Sequence, residues 1–132
     1  MSEEKRALIQ YRLAQAKDSI KEAEVLMREG MSYRSVINRL YYAMFYAVLA
    51  LLQEKEVGTS KHSGAIFLFD REFIKTGIFD IDFSKVLHRA FELRQKGDYM
   101  EQTEINKQDI TEIRPKVQDF INKVENYLLK KS

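Results

Sequence analysis

Asn38, Arg39, Tyr42 and Tyr46 lie within nine residues of one another in an otherwise apolar stretch. On a helix projected at 100° per residue, Ser35, Arg39, Tyr42, Tyr46 and Gln53 share a narrow sector, with Asn38 at its edge. An arginine there offers a permanent charge and a planar fork of donors suited to phosphate or carboxylate. The tyrosines offer hydroxyl donors and aromatic faces on which a base can stack. A buried arginine without partners costs several kcal/mol, so Arg39 must be paired or wet. Two readings follow. In one, Arg39 pairs with a core carboxylate and the tyrosines are amphipathic core residues. In the other, the sector is a polar groove or a subunit interface.

Further candidates come from elsewhere in the chain. Lys61, His62 and Ser63 stand where a helix opens, and with its free amides they could meet a phosphate. The structural alternative for His62 is capping and loop packing. Arg94 and Asp98 could form a salt bridge near a helix end or line the same groove as Arg39, and Tyr99 suits helix-end packing. His88 precedes Glu92 by four residues and reads as a surface pair. Two separated histidines and no cysteine give no metal site, and no helix carries paired Glu-x-x-His motifs. A Gly-rich phosphate loop, a nucleophile elbow and a catalytic triad are all missing, and no cofactor is implied.

The elements that position these residues are helices. One proline and five glycines supply too few turns for an all-β fold. Ile9, Leu13, Ala16, Ile20, Ala23 and Met27 repeat at spacings of four and three, an amphipathic first helix capped by Ser2 and stopped by Gly30. The second helix begins near Ser32 and ends near Glu56, with Gly58 closing the segment. It is apolar around most of its circumference, so it is central. Thr59 or Ser60 caps a shorter third helix striped with Ile66, Phe69 and Phe73 and stopped by Gly77. Asp82 or Ser84 caps a fourth, with Val86, Leu87, Ala90, Phe91 and Leu93 inward and Gly97-Asp98 at its end. The fifth starts near Asn106 and runs through Ile110, Ile113, Val117, Phe120, Val124 and Tyr127. Pro115 inside it predicts a kink or a late start. The expectation is an all-α antiparallel bundle of about five helices, one domain over residues 1–132.

Composition sets limits on function. At 45% hydrophobic and 32% charged, the chain is built to bury a core, so disorder is not its main state. A net charge of +2 permits nucleic-acid contact without arguing for it. The uncharged run from Leu40 to Leu52 is too short to span a bilayer and reads as a buried helix. With no signal peptide visible, a cytoplasmic location and no membrane partner are expected.

The segment Asn38-Arg-Leu-Tyr-Tyr-Ala-Met-Phe-Tyr46 resembles the core helix of the HEPN family (the nucleotide-binding domain of higher eukaryotes and prokaryotes). Lys61-His-Ser-Gly-Ala-Ile66 is similar to the segment that follows it in one small prokaryotic branch, and Leu93-Arg94 with Asp98-Tyr99 resembles that branch's fourth-helix ending. The resemblance implies a bundle of four or five helices that dimerises. It also implies kinship with metal-independent ribonucleases of toxin–antitoxin and defence systems, whose mark is an arginine and a later histidine separated by four to six intervening residues. Small members are often paired with a minimal nucleotidyltransferase, which in some pairs adenylylates a tyrosine near that motif. Here Arg39 matches the arginine, but the histidine slot holds Tyr46 at six intervening residues or Met44 at four. Met44 would point about 140° away from Arg39 in a straight helix, which favours Tyr46.

The expected function is therefore an RNA-associated half of a toxin–antitoxin-like pair with a nucleotidyltransferase partner. Arg39 and Tyr46 occupy the catalytic positions; Asn38, Tyr42, Lys61, His62 and Arg94 contact RNA or nucleotide. Cleavage is expected to be weak, because a tyrosine with a pKa of about 10 is a poor base at neutral pH. Tyr46, then Tyr42, are the candidates for adenylylation. A homodimer is expected around the central helix, with Arg39 of one subunit approaching Tyr46 of the other. The alternative is a non-catalytic helical dimer module that binds nucleotide or protein.

Overall fold

The computed structural model describes residues 1–99 and 105–131. Among them lie five α-helices: α1 (Glu3–Arg28), α2 (Tyr33–Lys55), α3 (His62–Phe69), α4 (Ile81–Tyr99) and α5 (Lys107–Lys131). A wider π turn, Asp70–Ile74, continues α3. No strand occurs among the described residues.

Local chemistry sets most of the boundaries. Ser2 and Ser32 cap α1 and α2 by accepting from Lys5 N and Ser35 N at 3.1 and 3.2 Å. Gly30 follows α1 with φ +69°, the left-handed conformation that glycine tolerates. Four expected boundaries differ. α2 is closed by Glu56, not Gly58. Glu56 adopts φ 59° while its N–H bonds back to Gln53 and Leu52. α3 is preceded by Lys61 rather than capped by Thr59 or Ser60, although Thr59 Oγ1 accepts from Lys61 N at 3.3 Å. At the start of α4 the accepting side chain is Asp80, whose Oδ1 takes Asp82 N at 2.9 Å, while Ser84 is occupied elsewhere. Gly97 does not end α4. A Cβ there would meet Ile105 Cδ1 at 3.0 Å and Arg34 Cγ at 3.2 Å, so the glycine permits close approach inside a continuing helix.

α5 opens on a reciprocal pair, with Asn106 Oδ1 accepting from Asp109 N and Asp109 Oδ2 from Asn106 N, at 2.9 and 3.0 Å. The helix passes through Pro115 without the late start that the proline suggested.

α2 touches all four other helices. Eleven of its 23 residues are buried, from Val36 to Leu52. It is long and apolar enough to cross a membrane, but 61% of its most apolar window is buried within the fold, as in a core helix. The homodimer expected around α2 therefore does not follow from its apolar circumference, which is covered by its own chain. Truncating a fully buried residue such as Leu40 or Leu51 to alanine should cost about 2–5 kcal/mol.

Candidate functional site

The polar sector of α2 is not covered like the rest of the helix. Ser35, Asn38, Arg39, Tyr42, Tyr46 and Gln53 are all partly exposed, whereas Leu40, Tyr41, Ala43 and Met44 on the other faces are buried. Of the two possible histidine slots, Met44 is therefore sealed in the core and Tyr46 reaches the surface.

Tyr42 is the hub of this surface. The Arg39 guanidinium carbon lies 5.1 Å from its ring centre and that of Arg94, from α4, lies 5.2 Å away. The two cations are therefore at most about 10 Å apart. Each cation–ring contact stabilises by about 0.5–1 kcal/mol when exposed and about 2 when desolvated. His62, from the start of α3, meets the Tyr42 ring edge-on at 5.8 Å. Tyr46 tilts against it at 5.7 Å. Three helices thus bring two guanidiniums, an imidazole and a second phenol onto one ring.

Arg39 is not held by a core carboxylate. Its Nε and Nη2 donate to Asn38 Oδ1 at 3.2 and 2.9 Å, and Nη1 lies 3.7 Å from Glu22 Oε1 on α1. The Glu22 side chain is more than half exposed, so this pair contributes little. Asn38 thereby fixes the guanidinium without neutralising it. Arg39 and Tyr46, two turns apart on α2, both line a groove of about 720 Å³ between α1 and α2, together with Asp18, Lys21, Glu22 and Leu26. They are linked through the Tyr42 ring rather than by direct contact.

His62 sits on the opposite flank. Its ring stacks on Phe45 at 4.1 Å with planes 10° apart, and its Nδ1 lies 2.7 Å from the Tyr41 hydroxyl. Burial, then the positive charge of Arg94, holds the imidazole pKa below its usual value. Burial pushes the Tyr41 pKa well above its usual value, with Arg94 opposing the rise and Tyr42 adding to it. Arg94 also lies 5.2 Å from the Tyr41 ring.

Of the residues singled out in the sequence, Asn38, Arg39, Tyr42, Tyr46, His62 and Arg94 come together. Lys61 does not join the ring cluster; it is exposed, beside His62 in the turn that leads into α3. Tyr41 and Phe45 were legible only as core residues, and no periodicity within α2 signals that His62 will pack on them. Glu22 is likewise silent in the sequence. The side chains of Asp98 and Tyr99 lie outside those described, so the suggested Arg94–Asp98 pair does too. His88 is corrected: it pairs with Asp70 Oδ2 at 2.7 Å instead of Glu92, while Ser84 Oγ donates to Asp70 Oδ1 at 2.7 Å. Glu92 pairs with Arg89 and Lys96.

The protein is an all-helical bundle whose central helix presents an arginine–tyrosine strip, met by residues from α3 and α4. The HEPN domain profile matches residues 9–127, and the chain belongs to the HEPN domain family. It is 36% identical over 125 residues to a UPF0332 protein of Thermotoga maritima, covering 95% of this chain and 94% of that protein. It is also 36% identical over 120 residues to a Methanocaldococcus jannaschii protein named "Putative toxin MJ0142", covering 91% of this chain and 81% of that one. A UPF0332 protein of Archaeoglobus fulgidus is 30% identical over 118 residues, 89% of this chain and 93% of its own.

Proposed function

We propose that this protein is the HEPN component of a toxin–antitoxin-type pair, works with a nucleotidyltransferase partner and binds RNA on the surface around Tyr42. The observation that carries the reading is the convergence of Arg39 and Arg94 on one partly exposed tyrosine ring. Two guanidinium forks that converge on one surface offer several donors to a phosphate. The partly exposed Tyr42 and Tyr46 rings offer aromatic surface to an unpaired base, so single-stranded RNA fits better than a duplex. Lys61 extends the positive edge past His62. Membership of the HEPN family and the toxin name of a relative support the assignment to such a pair.

The catalytic positions are Arg39 and Tyr46, and cleavage is weak because a phenol holds its proton at neutral pH. Homodimerisation follows from the family resemblance. Its natural axis runs beside the α1–α2 groove, where Arg39 of one subunit can meet Tyr46 of the other. A stable dimer of this kind should bury at least about 1,000 Å². Tyr46, partly exposed and lining that groove, is the first candidate for adenylylation by the partner, and Tyr42 the second.

Co-expression with a nucleotidyltransferase encoded beside it, followed by peptide mass spectrometry, tests the pairing. The expected product is an adenylylated Tyr46 or Tyr42 peptide and relief of any growth arrest seen with this protein alone. Unmodified tyrosines, with growth indifferent to either protein, would remove the toxin–antitoxin assignment.

A further inference from the structure

Tyr41 belongs to the core, yet it ends in a hydroxyl. Its side chain is wholly inaccessible, and a buried phenolic O–H must find an acceptor. Among the described residues the partner of that hydroxyl is His62 Nδ1, at 2.7 Å. If Nδ1 carried a proton and donated to the phenol oxygen, the phenolic hydrogen would itself be left buried without an acceptor. The pair is satisfied when Tyr41 donates and Nδ1 accepts. The neutral imidazole then carries its proton on Nε2.

The surroundings hold this arrangement. Phe45 stacks on the imidazole at 4.1 Å and Tyr41 at 5.7 Å, so the plane of the ring is held, and the hydrogen bond to Tyr41 turns the Nδ1 edge inward. Burial favours the protonated phenol of Tyr41, and burial, then the positive charge of Arg94, favours the neutral form of His62. Among the described residues Nε2 has no hydrogen-bond partner, but His62 is partly exposed and Nε2 is not one of the sealed atoms left without a partner. The His62 ring and the Arg94 guanidinium both lie against the Tyr42 ring, at 5.8 and 5.2 Å from its centre.

We propose that Tyr41 is a positioning residue that fixes His62 in the Nε2–H form, so that His62 presents a neutral hydrogen-bond donor, and not a base, to the phosphate oxygens of RNA held by Arg94. The ligand half of this statement rests on the RNA-binding reading above; the tautomer half does not. It gives a second reason, independent of Tyr46, for weak cleavage. The only imidazole near the arginines has its basic nitrogen occupied by a buried phenol.

The test is the nitrogen-15 spectrum of histidine-labelled full-length protein at pH 7.5, where the two tautomers give distinct ring-nitrogen shifts. The expected result is a pyridine-type Nδ1 and a pyrrole-type Nε2 for His62, assigned by its loss in His62→Gln. In Tyr41→Phe the two tautomers should mix, and affinity for a fluorescent single-stranded RNA should fall about twofold when about half of the histidines present Nε2–H. An Nδ1–H signal, or rapid averaging in the wild type, overturns the proposal. So does a Tyr41→Phe spectrum that is unchanged. If Tyr41→Phe does not fold, the wild-type spectrum alone decides the tautomer. If the Nε2–H form is found but no RNA binds, the RNA reading fails while the role of Tyr41 in fixing the tautomer stands.

Discussion

Charge and stacking at the Tyr42 surface can be separated by salt. Each phosphate contact on a single strand contributes a slope of about −0.7 to log K against log salt. If Arg39 and Arg94 each hold one phosphate, raising salt from about 50 to about 200 mM should weaken wild-type binding about sevenfold. Arg39→Gln or Arg94→Gln should leave about a 2.6-fold effect over the same range, and the double variant close to none. Arg39→Lys keeps the charge and therefore the slope, but gives up the planar contact with the Tyr42 ring 5.1 Å away, at a cost of about 0.5–1 kcal/mol. Tyr42→Leu removes the stacking face and should cost about 1–3 kcal/mol equally at every salt concentration. Fluorescence anisotropy with a labelled single-stranded RNA, repeated across the salt series, reads every one of these proteins. Wild-type affinity that ignores salt, or a slope unchanged in the double variant, would refute the assignment of these two arginines to phosphate.

Three further outcomes follow. The folded-state pKa of His62 is depressed, so the unfolded chain binds more protons and stability rises with pH. Thermal denaturation should show stability lost as pH falls below about 6.5, the unfolded histidine value, and His62→Gln should flatten that dependence. Tyr46→His restores the arginine–histidine spacing of the family and should raise RNA cleavage, with a pH profile governed by an imidazole; gel assays of single-turnover cleavage check it. Sedimentation at tens of micromolar should show a dimer, and Tyr46→Glu, which places a charge on the α1–α2 groove, should shift it toward monomer; a wild-type monomer would contradict the proposed axis.

The helices were readable because their apolar residues repeat with the period of the helix. The buried rows Ile9–Ala16–Ile20–Ala23 and Ile110–Ile113–Val117–Phe120–Val124 are those the spacing marks. Boundaries were harder, because they turn on particular contacts. Gly97 looks like a terminator in the sequence and is instead a point of close approach for Arg34 and Ile105. Glu56 adopts a left-handed conformation that glutamate does not advertise. The α2 part of the candidate site was legible for the same periodic reason. Its other half was not, because periodicity sorts residues by face on one helix and is silent on what another helix brings. Arg94 and His62 could be picked out by residue type, but not their shared ring. Tyr41 was sorted correctly as core, and that very sorting hid the hydroxyl that meets His62. His88 was matched to Glu92 by helical spacing, whereas the π turn after α3 places Asp70 against it from another element.

The central claim is that the Tyr42 surface binds single-stranded RNA in a HEPN protein whose histidine slot holds a tyrosine. Equilibrium binding and single-turnover cleavage of one labelled RNA by the purified wild type, measured side by side at pH 7, test it most directly. The account predicts saturable, salt-sensitive binding that Arg39→Ala weakens, with product formation close to background. Absence of binding at tens of micromolar protein would contradict the surface, and robust cleavage that survives Tyr46→Phe would contradict the impaired site.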